Sequence, residues 1–582
     1  MLDGRGRTYA VVKTYIDFAR QCPEYYHLMY GRKSWRSTDR EKGVTMANYS
    51  ADVIIAGAGL AGLAAAYELL ERNRKVLVLD KDSAEAVGGL ARLSFGGVCM
   101  TDTPQQRRTG IQDSPDLLHR DWLSYARFGD GPEYEKPRQW ARFYAQESHQ
   151  IYEFLDHKKI KFLPVVNWTE RGLFVPGNSV PRWHVVWGTG WEIIAKLVNA
   201  LECHPKRENL QLIFNHEVNE IDFEGGKVVG VSGRRMDDGT DYSARGESTI
   251  IASGGICGGD MSLLRENWFQ GWGEPPKKIL NGAHQYADGM LHKTAQQHGA
   301  WITHLDKHWH YAQGVHKPGN QRPDDGVSTT PPRSGLWMDS TGRRVGPVPL
   351  MGYADTRWAV EQVCKMPGQY SWMIMNDKIA LKELAISGCD YMTSFRYKKR
   401  LKMVKELLFG NRELVDRMTN EHDEDFIVAN SLDELADKMQ ERQLFGIDID
   451  REGMKADIRA YDETIARGET YMWDLQLIRI AQYRKYRGDR IRLCKFQTID
   501  DPSARPLIAV RSFIMARKSL GGIQTDLQCR VMQQNGQAID GLFAVGEAAG
   551  FGGGGMHGHG SLEGTFLGGC VLTARAAARA IA

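Results

Sequence analysis

The chain has 582 residues, and its 75 lysines and arginines nearly balance 72 aspartates and glutamates, for a formal net charge of +3. This balance argues against a nucleic-acid partner, and a hydrophobic share of 42% excludes a disordered chain. Glycine is in excess: 62 of the 582 residues are glycine, or about 11%, whereas roughly 7% is the average in proteins. In a globular protein such an excess indicates places where the backbone turns tightly or approaches a ligand.

The cysteines and the hydropathy pattern bear on the cellular location of the protein. Nine cysteines are scattered without a C-x-x-C pair, which is typical of reduced thiols rather than disulfides or a zinc module. No stretch of about 20 apolar residues occurs, so we expect no membrane span. These features together predict a cytoplasmic protein.

Residues 1–49 differ from the rest of the chain, since they are basic and aromatic without a clear period. We interpret them as an N-terminal extension. Met46 precedes the first predicted strand, which suggests the hypothesis that the residues upstream of it are not native. The alternative is a short helical arm lying on the body of the protein.

A strand–turn–helix–strand unit comes next. The pattern predicts a strand at 52–56, a helix at 60–71 and a strand at 75–79. Gly57, Gly59 and Gly62 form a G-x-G-x-x-G string before the helix, whose N-terminal N–H groups would bind a pyrophosphate. Asp80 ends the second strand, where it suits a bond to ribose hydroxyls. The unit therefore predicts a dinucleotide site.

The middle of the chain differs in composition from the segments on either side. From about residue 275 tryptophan, tyrosine and histidine are dense, and charged helices are predicted at 376–386, 397–408, 431–443 and 451–466. After about 505 the glycine-rich pattern returns. We expect an inserted α+β capping or substrate domain at 276–504, between two parts, 50–275 and 505–582, of one Rossmann-like α/β domain.

A second glycine-rich string identifies the nucleotide. G-L-F-A-V-G-E at 541–547 predicts a strand that feeds a turn, with a helix after it. A dinucleotide gripped by two distant glycine segments fits FAD better than NAD, with the first segment on the ADP moiety and the second on the ribityl chain and ring. We therefore predict an α/β, Rossmann-like FAD-binding domain.

These strings resemble the flavoprotein superfamily of fumarate reductases, succinate dehydrogenases and 3-ketosteroid Δ1-dehydrogenases, and most of all its steroid-dehydrogenase-like branch. The resemblance runs from about Ser50 to the C-terminus. Its main strings are A-D-V-I-I-A-G-A-G-L-A-G-L (51–63), G-G-L-A-R-L-S-F-G-G (88–97), I-A-S-G-G (251–255), P-L-I-A-V-R (506–511), R-K-S-L-G-G-I-Q-T-D (517–526) and G-L-F-A-V-G-E-A-A-G-F-G-G-G-G-M-H-G (541–558).

The resemblance implies bound FAD. Membrane-complex members attach it to a histidine just after the serine of the 88–97 string; here Phe95 follows Ser94, so we expect non-covalent FAD. The implied cofactor-binding residues are Gly57, Ala58, Gly59, Leu60, Ala61, Gly62, Asp80, Lys81, Gly88, Gly89, Leu90, Ala91, Ser94, Gly96, Gly97, Val218, Ala252, Ser253, Gly254, Asp288, Gly546, Glu547, Ser561 and Leu562.

The resemblance also implies hydride transfer to or from a carbon near a carbonyl or carboxylate, with an acid or base for the neighbouring proton. This chain departs from the known catalytic strings. Arg517-Lys518-Ser519 stands where fumarate reductases carry His-His-Thr, and Ser561 stands near the place of their substrate-binding arginine. Ile508 occupies the position of the catalytic tyrosine of the steroid Δ1-dehydrogenases.

Other residues can supply the acid or base. Tyr353 and Tyr311 lie in the aromatic inserted domain, and Arg517 or Lys518 could stabilise a phenolate. His559, in the glycine loop, is a candidate for bonding the flavin ring or the substrate. We predict no metal site.

We therefore predict an FAD-dependent oxidoreductase that acts on a carbon–carbon bond next to a carbonyl of a ketosteroid-like or other polycyclic small molecule. Two alternatives stay open: reduction of an unsaturated carboxylate, as in fumarate reductases, and a flavin-binding protein without catalysis. The sequence identifies neither the electron acceptor nor the oligomeric state.

Overall fold

The computed structural model describes residues 47–317, 322–422 and 424–582. Residues 47–49 of the predicted extension open the first strand. The rest of the extension, with the hypothesis about Met46, lies outside the described residues.

The first part of the cofactor domain alternates strands and helices. The predicted unit is present as a buried strand, an alanine- and leucine-rich helix and a second buried strand. In chain order the elements are β1 (Ala47–Ser50), β2 (Val53–Ala56), α1 (Leu60–Glu71), β3 (Val76–Leu79), α2 (Gly89–Leu93), β4 (Gly97–Cys99), α3 (Pro104–Arg108), α4 (Pro115–Ala126), α5 (Glu135–His157), β5 (Trp183–Val185), α6 (Thr189–Glu202), β6 (Leu210–Ile213), β7 (His216–Glu224), β8 (Lys227–Arg235), β9 (Asp241–Arg245), β10 (Ser248–Ile251) and α7 (Ser262–Glu266).

The inserted segment mixes strands with charged helices, as predicted, and the chain then returns to the cofactor domain. The remaining elements are β11 (Leu280–Asn281), α8 (Met290–Gln297), β12 (Ile302–Thr303), β13 (His308–His316), β14 (Gly326–Thr330), β15 (Leu336–Asp339), α9 (Thr356–Lys365), β16 (Tyr370–Asn376), α10 (Asp377–Glu383), β17 (Ala385–Ile386), α11 (Thr393–Arg396), α12 (Arg400–Phe409), α13 (Arg412–Glu421), β18 (Phe426–Ala429), α14 (Leu432–Glu441), α15 (Arg451–Ala466), α16 (Leu475–Tyr483), α17 (Arg487–Arg490), β19 (Leu507–Ser519), β20 (Gly522–Ile523), β21 (Arg530–Met532), β22 (Ala538–Ala544) and α18 (Thr565–Ile581).

The cofactor domain is built around a sheet of order β21-β22-β10-β2-β3-β6. Its pairs from β22 to β6 are parallel, with Ile251 opposite Ala56 and Ala56 opposite Leu79. A parallel sheet with helical crossovers is the Rossmann-like arrangement. β22 comes from the end of the chain and pairs with β10, so both ends of the chain build one sheet. The predicted α/β fold class is confirmed.

The inserted domain has a sheet of order β15-β16-β19-β13-β14-β17. The long strand β19 pairs with β16, β13 and β18. It therefore lies in one sheet with strands of the inserted segment, whereas the predicted boundary at 505 places it with the second part of the cofactor domain; that boundary stays a prediction. Strand β19 is buried along nearly its whole length, although it carries Arg511, Arg517 and Lys518. Because both faces are buried, its sequence shows no alternation that would indicate which sheet the strand joins.

The charged helices are present where the sequence predicts them, and the inserted segment holds further helices that were not predicted. Helices α10, α12, α14 and α15 match the predicted segments within a few residues. Helix α13 was not predicted; the Asn411 side chain caps it by accepting a hydrogen bond from Leu414 N. Within the described ranges, no helix combines the length and apolar character needed to cross a bilayer.

Candidate active site

A cavity of about 160 Å³ lies at the carboxyl ends of β2, β3 and β10, the edge of a parallel sheet where such folds bind dinucleotides. Sixteen of the residues predicted to bind FAD line it: Gly57, Gly59, Leu60, Ala61, Asp80, Lys81, Gly88, Gly89, Leu90, Ala91, Val218, Ala252, Ser253, Gly254, Asp288 and Glu547.

The turn before α1 fits a pyrophosphate. A Cβ built on Gly59 would meet no protein atom within 4 Å, whereas a Cβ on Gly57 would lie 2.4 Å from the carbonyl oxygen of Ala252. The backbone at Gly59 is therefore open to a ligand, and that at Gly57 is packed against the strand end. Asp80 fixes the same turn by accepting hydrogen bonds from Ala58 N at 2.5 Å and Asp82 N at 2.8 Å. Its burial raises its pKa.

The part of the groove next to Asp80 carries a charge cluster. Lys81 Nζ lies 2.6 Å from a Glu217 carboxylate oxygen and 3.2 Å from one of Asp288. The same Nζ lies 4.8 Å from the centre of the Tyr286 ring. Glu217 and Tyr286 were not predicted; both line the groove with Lys81 and Asp288.

Other predicted cofactor residues do not line the groove; some pack against residues that do. A Cβ on Gly62 would lie 1.9 Å from Gly57 O, and a Cβ on Gly546 would lie 2.8 Å from the Ala61 side chain. Both glycines therefore allow close packing of backbone segments. Ser561 Oγ bonds to Thr565 Oγ1 at 2.9 Å, and Leu562 is buried. Neither Ser561 nor Leu562 lines this groove.

Replacing Gly59 by alanine is expected to weaken FAD binding by about tenfold or more, because the new methyl group enters the space open to the pyrophosphate. The apoprotein should keep its melting temperature, since that methyl group meets no protein atom. FAD titration and thermal unfolding of the apoprotein measure the two effects. Gly62→Ala is the control: it should lower the melting temperature itself. Equal FAD affinity in Gly59→Ala and wild type would contradict the assignment.

A second cavity of about 110 Å³ adjoins the groove, and Leu90, Ala91, Glu547 and Cys570 line both. The predicted residues Ser94, Gly96 and Gly97 line the second cavity, and Tyr311, Arg517 and Lys518 reach it from the inserted domain. Its apolar walls are aromatic and aliphatic. They consist of Phe95, Trp183, Phe551, Phe566 and Leu567.

A buried polar cluster lies in the wall of this second cavity. The Tyr311 hydroxyl donates to Glu563 at 3.1 Å and receives a hydrogen bond from Lys518 Nζ at 3.2 Å. The Trp309 indole N–H donates to the other Glu563 oxygen at 2.9 Å. Lys518 Nζ also lies 3.8 Å from Glu563 and 3.8 Å from the centre of the Phe566 ring. We call Tyr311, Lys518 and Glu563 the proton-transfer cluster.

Burial shifts the pKa values of the side chains in and beside this cluster. It lowers the pKa of Lys518 to about 8, and it raises the pKa of Tyr311 well above the ordinary tyrosine value, with the charge of Glu563 adding to the rise. Burial also raises the pKa of Glu547 to about 7; its carboxylate accepts from Ser519 N at 2.9 Å. Lys518 and Glu547 thus have pKa values displaced toward neutrality in one cavity, which is typical of sites that move protons.

Glu563 is a candidate functional residue that sequence reasoning missed. It follows the predicted Ser561 and Leu562, and the available signal was a single carboxylate inside a glycine-rich loop. Such a residue is rarely buried without a partner. Its partners, Trp309 and Tyr311, lie far away in sequence on β13.

Three predicted catalytic residues lie outside the cluster: Arg517, which lines the same cavity, Tyr353 and His559. Tyr353 lines a small neighbouring cavity with Tyr311, and the two ring centres are 6.2 Å apart. The His559 ring lies instead 5.6 Å from the centre of the Phe269 ring, with Arg357 Nη2 at 3.4 Å from its Nδ1. His559 is not among the residues that line either cavity, and its predicted role stays a prediction.

The fold, the dinucleotide groove and the adjoining polar cavity define an FAD-dependent oxidoreductase. A family model described as an FAD binding domain matches residues 52–567, and the chain belongs to that family. The chain is 38% identical to a KsdD-like steroid dehydrogenase of Mycobacterium tuberculosis over 94% of this chain and 98% of the relative. It is also 38% identical to one of Mycolicibacterium smegmatis over 89% and 96%.

A solved structure shares the fold. It is the 3-ketosteroid-Δ4-(5α)-dehydrogenase of Rhodococcus jostii RHA1, in complex with 4-androstene-3,17-dione. The TM-score is 0.61 at 19% identity, with 92% of this chain and 98% of that chain covered. The family model and the relatives at 38% identity confirm the predicted membership of the flavoprotein superfamily.

Proposed function

We propose that this protein transfers a hydride between FAD and a carbon–carbon bond next to a carbonyl of a ketosteroid-like substrate. The observation that carries the proposal is the proton-transfer cluster in the wall of a cavity that adjoins the FAD groove. The aromatic walls suit a flat, apolar molecule. The steroid dehydrogenases that are 38% identical over nearly their whole length support this substrate class.

When bound, FAD supplies the hydride acceptor or donor. The protein must handle the accompanying proton. In the oxidising direction, the Tyr311 oxygen takes the proton from the carbon next to the carbonyl while its own proton passes to Glu563. Lys518, within hydrogen-bond distance of the same oxygen, stabilises negative charge that develops there. The substrate thus loses one hydride and one proton, and reduction reverses both transfers.

Arg517 is proposed to polarise the substrate carbonyl. Its side chain lines the second cavity and donates one hydrogen bond to Gly282 O, which fixes the guanidinium and leaves further N–H donors. Burial lowers its pKa, and nearby Tyr311 and Glu563 counteract that shift. A buried donor of this kind stabilises an enolate oxygen more strongly than water would.

We further propose that FAD is held without a covalent bond. Phe95 lines the second cavity and stacks on Trp183, with ring centres 6.2 Å apart, so the position that carries the linking histidine in membrane-complex relatives has no nucleophile. A cytoplasmic location is supported by the cysteines, which are free throughout the described part of the chain.

A substrate panel tests the proposed function. The holoprotein is mixed without oxygen with saturated 3-ketosteroids, and the chemically reduced holoprotein is mixed with unsaturated ketosteroids and with fumarate. We expect flavin bleaching or reoxidation with ketosteroids and no change with fumarate. Acid precipitation of the same sample should leave yellow FAD in the supernatant. Reoxidation by fumarate alone would instead favour the carboxylate reductase, and silence with every compound would favour a binding protein without catalysis.

A further inference from the structure

Helix α12 turns an apolar face toward solvent. None of its residues is buried; Leu401 is 88% exposed, Leu408 70% and Phe409 75%, with Val404 at 48%. Leu401, Val404 and Leu408 are spaced by three and four residues, so they share one face of the helix. We call these three residues and Phe409 the apolar stripe. Contiguous exposed apolar residues on a folded protein mark a contact surface.

The apolar stripe is surrounded by positive charge. Arg396, Lys398, Lys399, Arg400, Lys402 and Lys405 precede the first acidic residue, Glu406. Lys398 pairs with Glu192 at 2.9 Å and Lys402 with Glu413 at 2.5 Å. Among the described residues, Lys399, Arg400 and Lys405 form no salt bridge; Lys399 acts on a carboxylate, that of Glu413, only at longer range. Three cations outside any salt bridge therefore flank an apolar face.

This combination fits a lipid surface better than a protein. An amphipathic helix with basic flanks binds in the headgroup region of anionic bilayers, where the apolar residues enter the acyl boundary and the cations meet phosphates. Protein interfaces, in contrast, are depleted in lysine. A second copy of this chain would present the same positive charges to the first, and like charges at an interface disfavour association.

The segment before the helix reaches the second cavity. Phe395, on α11, packs against Phe95 with ring centres 5.4 Å apart, and Phe95 lines that cavity. Ser387, earlier in the same segment, lines it as well. On its inner side, α12 presents Met403 and Leu407 to a gap of about 30 Å³ next to Phe395. One continuous segment thus connects the apolar stripe with the cavity wall.

We propose that α12 docks the protein on a bilayer rich in anionic lipid, with the apolar stripe in the acyl boundary and Lys399, Arg400 and Lys405 on lipid phosphates. Docking would place the rim of the second cavity at the membrane surface. The docking itself is independent of the proposed function. A consequence of docking, that an apolar substrate could pass from the bilayer to the second cavity, rests on that function.

Vesicle flotation tests the docking. Purified holoprotein is mixed with vesicles of phosphatidylcholine alone or with added phosphatidylglycerol. We expect flotation only with phosphatidylglycerol, and less of it as salt is raised. Leu401→Gln with Leu408→Gln, and separately Lys399→Gln with Lys405→Gln, should each lower the bound fraction by about tenfold or more. The matched control is Met236→Gln, on the hairpin between β8 and β9, where Met236 is 45% exposed; it should bind as wild type does.

Two flotation results would contradict the docking of α12 on a bilayer. Absence of flotation with phosphatidylglycerol, or wild-type binding by the double leucine variant, would exclude a membrane role for α12. Sedimentation velocity adds another exclusion: a dimer that Leu401→Gln with Leu408→Gln converts to monomer would make the apolar stripe an interface between copies. Turnover of a dissolved ketosteroid separates the two proposals, because its failure contradicts only the proposed function and leaves the flotation result intact.

Discussion

Tyr311→Phe is expected to slow flavin reduction by ketosteroid by about 10²–10⁴-fold, the range that a positioned acid or base contributes. The substitution keeps the ring that packs in the cavity and removes only the hydroxyl between Lys518 and Glu563. The proton of the carbon next to the carbonyl then has no tyrosine oxygen to receive it. Anaerobic stopped-flow absorbance of the flavin measures the single-turnover rate.

Tyr353→Phe is the matched control for this variant. Tyr353 is a second tyrosine beside the cluster, with its ring centre 6.2 Å from that of Tyr311, and no described hydrogen bond joins it to Lys518 or Glu563. We expect a rate within about tenfold of wild type. The reverse pattern, in which Tyr353→Phe is inactive and Tyr311→Phe is not, would transfer the acid or base to Tyr353.

Glu563→Gln is expected to produce a loss of similar size, about 10²–10⁴-fold, by a different route. Glutamine keeps the shape of the side chain but cannot accept the proton that Tyr311 passes on. The substitution also removes the neighbouring negative charge that raises the pKa of Lys518, so this pKa should fall further below about 8. Lys518 is charged below its pKa and loses its charge as pH rises. Activity that needs the charged lysine should therefore disappear at a lower pH in the variant than in wild type as pH is raised.

Single-turnover rates measured between about pH 6 and 9 test both parts of this prediction. Trp309→Phe serves as the control, because it removes the other hydrogen bond to Glu563 and leaves the carboxylate in place; it should retain most of the rate. FAD content confirms that each variant is folded. A Glu563→Gln rate equal to that of wild type would remove Glu563 from the mechanism.

The cofactor half of the site was predictable because its signal is local. The glycine turn, α1 and Asp80 occupy one short stretch of sequence, and backbone geometry demands glycine at positions such as Gly57. The catalytic half has no such local signal. Tyr311, Lys518 and Glu563 come from β13, β19 and the loop before α18, and only tertiary packing brings them within hydrogen-bond distance.

Membership of a sheet and surface exposure were unpredictable for related reasons. Strand β19 is buried on both faces along nearly its whole length, despite Arg511, Arg517 and Lys518, so no alternation in its sequence indicates a sheet. Long-range pairing with β16 and β13 decides where it lies. The pattern of α12 indicates a helix but not what its apolar face contacts. The structure places Met403 and Leu407 on the inner side and leaves Leu401, Val404 and Leu408 exposed.

The pairing of β22 with β10 has a consequence for biosynthesis. Residues 249–251 find their neighbours at 542–544, so an emerging polypeptide must hold β10 with an open edge until residues 542–544 have left the ribosome. Exposed strand edges are sites of mispairing and aggregation. Translation products that stop before β22 therefore keep β10 as an exposed edge, and those that stop before Glu563 also lack the proposed proton-transfer cluster.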